Sequence, residues 1–238
     1  MDATISKYKN IGILGGMGAA ASADFYRELV GILQKEHHAE QDSDFPPMFI
    51  YNLPLTGFDE TGFANEALVK KQLLVGVQKL ENAGSDFVVI PCNTVHHFEK
   101  DMREAITAPL LSIIEATVDE VEHRKFKKVG LLTSQSTRKY GLYETGLRKR
   151  GIDFLSVTDE EQKEINAVIH HVIGGTHGIQ EVLDLHAVIS RLQNEGAEAI
   201  ILGCTGLPLA ISQEQCPIPL LNSTHILAKA AIEYSLSN

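Results

Sequence analysis

Val88-Val89-Ile90-Pro91-Cys92-Asn93-Thr94 is a short apolar run that stops at a proline, then a thiol, then two small hydrogen-bonding residues. Such a run reads as a buried strand, and Asn or Thr after it suits a helix start. The same order returns in Ala199-Ile200-Ile201-Leu202-Gly203-Cys204-Thr205, where Cys204 follows Cys92 by 112 positions in a chain of 238 residues. Two such junctions, each ending on a thiol, predict a duplicated fold that contributes one cysteine from each copy.

The flanking sequence supports that duplication. Strand Ile11-Gly12-Ile13-Leu14 ends at Gly15-Gly16-Met17-Gly18, and a helix over 20–34 places Phe25, Leu29 and Ile32 on one face. Met48 to Leu53 reads as a strand, Leu55 to Asn65 as a loop, and Ala67 to Ala83 as a helix closed by Gly84. In the second half Lys125-Phe126-Lys127-Lys128-Val129-Gly130-Leu131-Leu132 repeats Lys7-Tyr8-Lys9-Asn10-Ile11-Gly12-Ile13-Leu14. Helix Val188–Glu195 before Gly196 repeats the helix before Gly84, and Pro219-Leu220-Leu221-Asn222 repeats Pro109-Leu110-Leu111-Ser112.

Alternating strands and helices predict an α/β class of two pseudo-symmetric domains with mainly parallel sheets, the two thiols facing a cleft between them. The proline-led strands, with helices over 114–122 and 225–236, are expected to cross to the opposite domain. That divides the chain into 1–104 plus 218–238, and 105–217.

A net charge of −10 without a Lys/Arg block argues against a nucleic-acid surface. No apolar stretch approaches the ~20 residues that span a bilayer, so no membrane role is expected. The polar stretch Met1–Asn10 does not read as a signal peptide, and three cysteines fit reduced thiols, so the expected location is cytoplasmic.

Sites in open parallel sheets lie at the carboxyl ends of the strands, which here carry Gly15–Gly18, Cys92–Thr94, Thr133–Ser136 and Cys204–Gly206. A thiol ahead of a helix N-terminus is expected to have a lowered pKa. One thiolate and one thiol on opposite faces of a carbon form a two-base inverter, in which one takes a proton and the other returns one. Cys216, before Pro217, reads as a small buried hydrophobe. Gly15–Gly18 lacks full Gly-x-Gly-x-x-Gly spacing and no acid ends the next strand, so no dinucleotide is expected. The loop 133–137 reads equally as an anion cradle or an ordinary capped helix start. His37-His38, His96-His97 and His170-His171 lack helical ligand spacing, so no metal is expected. The run Glu160–Glu164 reads as a solvated helix start.

With the stretches 11–18, 91–94 and 202–205, joined by 109–117 and 129–133, the chain resembles the aspartate/glutamate racemase family, in its aspartate-racemase branch. The resemblance implies a racemase of amino acids that uses no cofactor, and a homodimer with its site between two domains. It implies Cys92 and Cys204 as the acid/base pair. Substrate contacts would come from Gly16, Met17, Asn93, Thr94 and Thr205, with Asn52, Thr133, Ser134 and Gln135 nearby.

Three positions depart from the pattern. The loop 54–65 carries no Arg, His170-His171-Val172-Ile173 stands where many members have a Lys, and Gly206 stands where Glu commonly follows Gly-Cys-Thr. Losing both cations disfavours an acidic substrate side chain and favours a neutral or larger one near Phe58, Phe63 and Gly174. His170, His171 and His177 are the candidate replacement cations. The alternatives to a racemase are an amino-acid-binding or regulatory protein with this fold, or an isomerase or decarboxylase of small dicarboxylates.

Overall fold

The computed structural model describes residues 7–59 and 61–237. The first six residues of the polar start, Glu60 in the loop and Asn238 lie outside that description.

The first half runs β1 (Ile11–Gly15), α1 (Ala19–Glu36), β2 (Met48–Asn52), β3 (Phe58–Asp59), β4 (Gly62–Phe63), α2 (Glu66–Asn82), β5 (Phe87–Val89), α3 (Glu99–Ala105), β6 (Leu110–Leu111) and α4 (Ile113–His123). The second runs β7 (Lys128–Thr133), α5 (Gln135–Lys139), α6 (Leu142–Lys149), β8 (Asp153–Ser156), α7 (Asp159–Gly174), α8 (Ile179–Asn194), β9 (Ala199–Gly203), α9 (Leu207–Ala210), β10 (Leu220–Asn222) and α10 (Ser223–Leu236). The two large sheets are parallel and have matching orders, β2-β1-β5-β6 and β8-β7-β9-β10. The duplication read from the sequence therefore extends to strand order.

Every residue of β1, β5 and β9 is buried, as expected for parallel strands covered on both faces. Alternation along those strands divides the interior. Ile11, Ile13, Phe87 and Val89 join Val129, Leu131, Ala199 and Ile201 in one central core with the apolar faces of α1, α4, α6 and α10. Leu14, Val88 and Ile90 face outward under α2 and α3. Leu132, Ile200 and Leu202 face outward under α7 and α8.

The proline-led strands do not cross as expected. β6 pairs with β5 and β10 with β9, so each stays in the sheet of its own half. Only the helices after them interleave: α10 packs on α1 and α4, and the ion pair of His225 with Glu28, at 2.7 Å, ties α10 to α1. Pairing of a two- or three-residue strand is decided by its neighbours rather than by its own sequence. The segment 55–65 is also more than a loop, since β3 and β4 form a small antiparallel hairpin.

Candidate active site

The carboxyl ends of β1, β5, β7 and β9 converge on a cavity of about 320 Å³ between the two sheets. Gly16, Met17, Cys92, Asn93, Thr94, Ser134, Cys204 and Thr205 line it. Leu55, Phe58, Ile169, Val172, Ile173 and Leu209 form an apolar wall.

The turn after β1 must be glycine at Gly16. Its φ is +98°, and a Cβ there would lie 2.3 Å from the carbonyl oxygen of Leu53. The Gly16 N–H donates to Ser22 Oγ at 2.8 Å, and Ser22 Oγ donates to the Gly18 carbonyl at 2.9 Å. This fixes the turn at the cavity edge.

Cys92 is buried, while Cys204 is partly exposed. The residues after Cys92 do not enter an α-helix directly; Thr94–Phe98 is a 3-10 turn that leads into α3. Burial pushes the Cys92 thiol up to about 12, with Cys204 adding to the rise and the N–H groups of Val95 and Thr94 partly opposing it. The lowered thiol pKa expected from a helix start is thus reversed at Cys92 by desolvation.

Neighbours on both sides of the cleft hold the Cys92 segment. His96 is buried, and Ile113 N–H donates to its Nε2 at 3.3 Å. The ring proton therefore lies on Nδ1, which donates to the Cys92 carbonyl at 2.9 Å. Burial lowers the His96 pKa, which keeps this neutral tautomer. Asn93 is fixed by the second half: Tyr143 O–H donates to its Oδ1 at 2.5 Å, and its Nδ2 donates to Ser223 Oγ at 3.4 Å. Thr94 Oγ1 meets Ser134 Oγ at 3.1 Å and Thr137 Oγ1 at 2.8 Å.

On the other side, Gly203 makes room for the Tyr143 ring. A Cβ on Gly203 would come within 2.6 Å of Tyr143 Cε2 and 2.8 Å of Thr133 Cγ2. At Gly206 a Cβ would meet only Val172 Cγ1 at 3.6 Å and Cys204 Sγ at 3.9 Å. A second contact between the halves lies beside the hairpin. Phe63 meets Tyr140 at 5.4 Å between ring centroids, and His97 stacks on Tyr140 at 3.9 Å.

A sequence profile of the family described as Asp/Glu/Hydantoin racemase matches residues 14–231. The chain belongs to this family. It is 30% identical over 227 residues to the broad specificity amino-acid racemase RacX of Bacillus subtilis, spanning 95% of this chain and 98% of that one. It resembles the structure of the Picrophilus torridus aspartate racemase with a TM-score of 0.82 at 29% identity, covering 94% and 93% of the two chains. An aspartate racemase homologue from Pyrococcus horikoshii gives a TM-score of 0.77 at 29% identity, covering 94% and 98%.

Within this racemase fold, three residues expected near the substrate stand away from the cavity lining. Asn52 is exposed at the end of β2. Thr133 is buried, and its carbonyl accepts from Gln162 Nε2 at 2.9 Å. Gln135 Oε1 accepts from Asn166 Nδ2 at 2.9 Å. In the loop 133–137 Ser134 Oγ caps the helix start by accepting from Thr137 N–H, and Ser134 also lines the cavity. Asn93 does not cap with its side chain, which is committed to Tyr143 and Ser223. Phe63 joins the aromatic contact instead of the cavity, and neither Gly174 nor His170, His171 or His177 belongs to the lining. His171 Nδ1 instead pairs with Glu181 at 2.6 Å. Among the described residues no group of three His, Cys, Asp or Glu side chains is placed to hold a metal, and no helix is long and apolar enough to cross a membrane.

Sequence reasoning missed Tyr143, the bridging role of His96, and most of the apolar wall. Ile169, Val172 and Ile173 follow helical spacing on α7, a signal that could have marked one face toward the site. Nothing in the sequence pairs Tyr143 with Asn93, which lies 50 positions before it.

Proposed function

We propose that this racemase-family chain inverts the Cα stereocentre of amino acids by proton transfer between Cys92 and Cys204. The observation that carries the reading is that both thiols, one after β5 and one after β9, line the same cavity. On this reading Cys204 as thiolate removes the Cα proton from one face while the Cys92 thiol delivers its proton to the other. The Cys92 thiolate and Cys204 thiol that remain are then poised for the opposite enantiomer, so the cycle balances and needs no cofactor.

Burial, with Cys204 adding to it, favours the protonated Cys92 thiol, which suits it to the donating role. The α-ammonium group of a bound amino acid brings a positive charge beside both sulfurs, favouring a thiolate there. Thr94, Ser134 and Thr205 hydroxyls and the turn at Gly16 and Met17 supply polar groups for the α-carboxylate and ammonium. The likeness to a relative named for broad specificity supports a substrate range that is not confined to acidic amino acids.

The test is incorporation of solvent deuterium at Cα across a panel of single-enantiomer amino acids. For an accepted substrate, Cys92→Ser and Cys204→Ser are each expected to lower racemisation by about 10²- to 10⁴-fold. Racemisation that survives both substitutions ends the two-thiol reading. Ligand-induced stabilisation without any exchange would instead mark a binding protein.

A further inference from the structure

Among the described residues Asp59 is the one charged side chain in the cavity lining, with no Arg, Lys or His beside it there. It stands in the hairpin next to Phe58 of the apolar wall, and is itself exposed to solvent at the cavity's edge. One carboxylate oxygen, Oδ1, is held by three donors: Thr61 Oγ1 at 2.6 Å, Thr61 N–H at 2.8 Å and Gly62 N–H at 3.1 Å. These bonds, the Thr61 hydroxyl foremost, hold its pKa below the ordinary carboxylate value, so the group carries its charge at neutral pH. Among the described residues no Lys or Arg forms an ion pair with it, and Oδ2 makes no hydrogen bond.

A fixed anion without a cation, beside a wall of Leu55, Phe58, Ile169 and Ile173, is an unsuitable receptor for a side-chain carboxylate. It suits a flexible side chain that is apolar along its length and positive at its end. We propose that Asp59 selects amino acids with cationic side chains, of the lysine and ornithine type, by pairing with the terminal ammonium while the methylenes lie on the apolar wall. This deepens the racemase reading above and rests on it.

The experiment measures kcat/KM for lysine, for methionine as an uncharged side chain of similar length, and for glutamate, in the full-length protein and in Asp59→Asn. Asparagine keeps an Oδ1 that can accept from Thr61 and Gly62 N–H groups, so the hairpin turn retains its bonds. The wild-type protein is expected to rank lysine above methionine and methionine above glutamate. In Asp59→Asn the ratio of kcat/KM for lysine to that for methionine falls about 2- to 5-fold, the range for an ion pair at an exposed carboxylate. Raising ionic strength raises the wild-type KM for lysine and leaves that for methionine in place.

A ratio unchanged by Asp59→Asn, or a wild-type preference for glutamate, overturns the assignment even if methionine racemises through the two thiols. If no amino acid exchanges its Cα proton, the racemase reading itself fails and takes this proposal with it. The two failures are therefore separable.

Discussion

Cys92 and Cys204 follow equivalent strands of equivalent sheets, yet their surroundings differ. Around Cys92 each polar neighbour already has a partner within the protein: His96 holds the Cys92 carbonyl, Asn93 is clamped by Tyr143 and Ser223, and Thr94 meets two hydroxyls from the second half. Cys204 is partly open, between Gly203 and a Gly206 that leaves space beside Val172. Duplication repeated the backbone but left the side chains free to diverge. A reaction that treats two mirror-related faces does not require two identical thiols, only two at one carbon. One protected donor and one accessible partner satisfy that.

Alkaline unfolding gives the strongest probe of this asymmetry. Cys92 titrates near 9.0 as an ordinary thiol and about 12 when buried in the fold. Below about pH 9 both states hold the proton and stability is intact. As pH rises from there toward 12, the unfolded chain loses the proton and the folded one keeps it, so stability falls. Tyr143, also raised by burial, adds to the fall above its ordinary value of 10.0. Urea denaturation from about pH 8 to about pH 11 should show a shallower decline in Cys92→Ala. Cys204→Ala, with Cys92 and Tyr143 intact, should keep the steep decline. Equal slopes in the two variants would erase the distinction.

The scaffolding differs next. His96→Leu strands the Cys92 carbonyl and the Ile113 N–H, each worth roughly 1–3 kcal/mol when buried without a partner, so a loss of about 2–4 kcal/mol is expected. The corresponding position in the second half is Pro208, in the first turn of α9, where Pro208→Ala should cost under about 1 kcal/mol. Comparable losses at the two positions would mean that His96 is packing alone.

The smallest contrast lies between two glycines flanking Cys204 and Thr205. Gly203→Ala drives a methyl into Tyr143 and Thr133 and should cost about 1–3 kcal/mol. Gly206→Ala meets only ordinary contacts and should change stability by roughly 0.5 kcal/mol or less. Thermal denaturation of the pair decides whether close packing around the second thiol is confined to the Tyr143 side.

The parts legible in sequence were those with local signals. Apolar runs gave β1, β5, β7 and β9, and the thiols after two of them fell in one cavity. Side chains that meet only in three dimensions were not legible. Tyr143 reaches Asn93 and Ser134 reaches Thr94 across the cleft, and no spacing rule connects them. The pKa of Cys92 was misjudged for the same reason: the expected helix-terminus effect is local, while its desolvation comes from residues packed around it from several elements. The strands β6 and β10 are too short for their own residues to choose a sheet. The hairpin carrying Asp59 did have a local cue, Asp59 two residues before Thr61 and three before Gly62, a turn pattern hidden within a segment read as plain loop.

One core runs beneath both sheets, joining Ile13 and Phe25 of the first half to Leu131, Ile201 and Leu227 of the second. Neither repeat therefore owns its interior. Cut apart, each would bare an oily face that its twin now covers. With both halves in one chain the pairing needs no association step, and each half brings one thiol to the cavity.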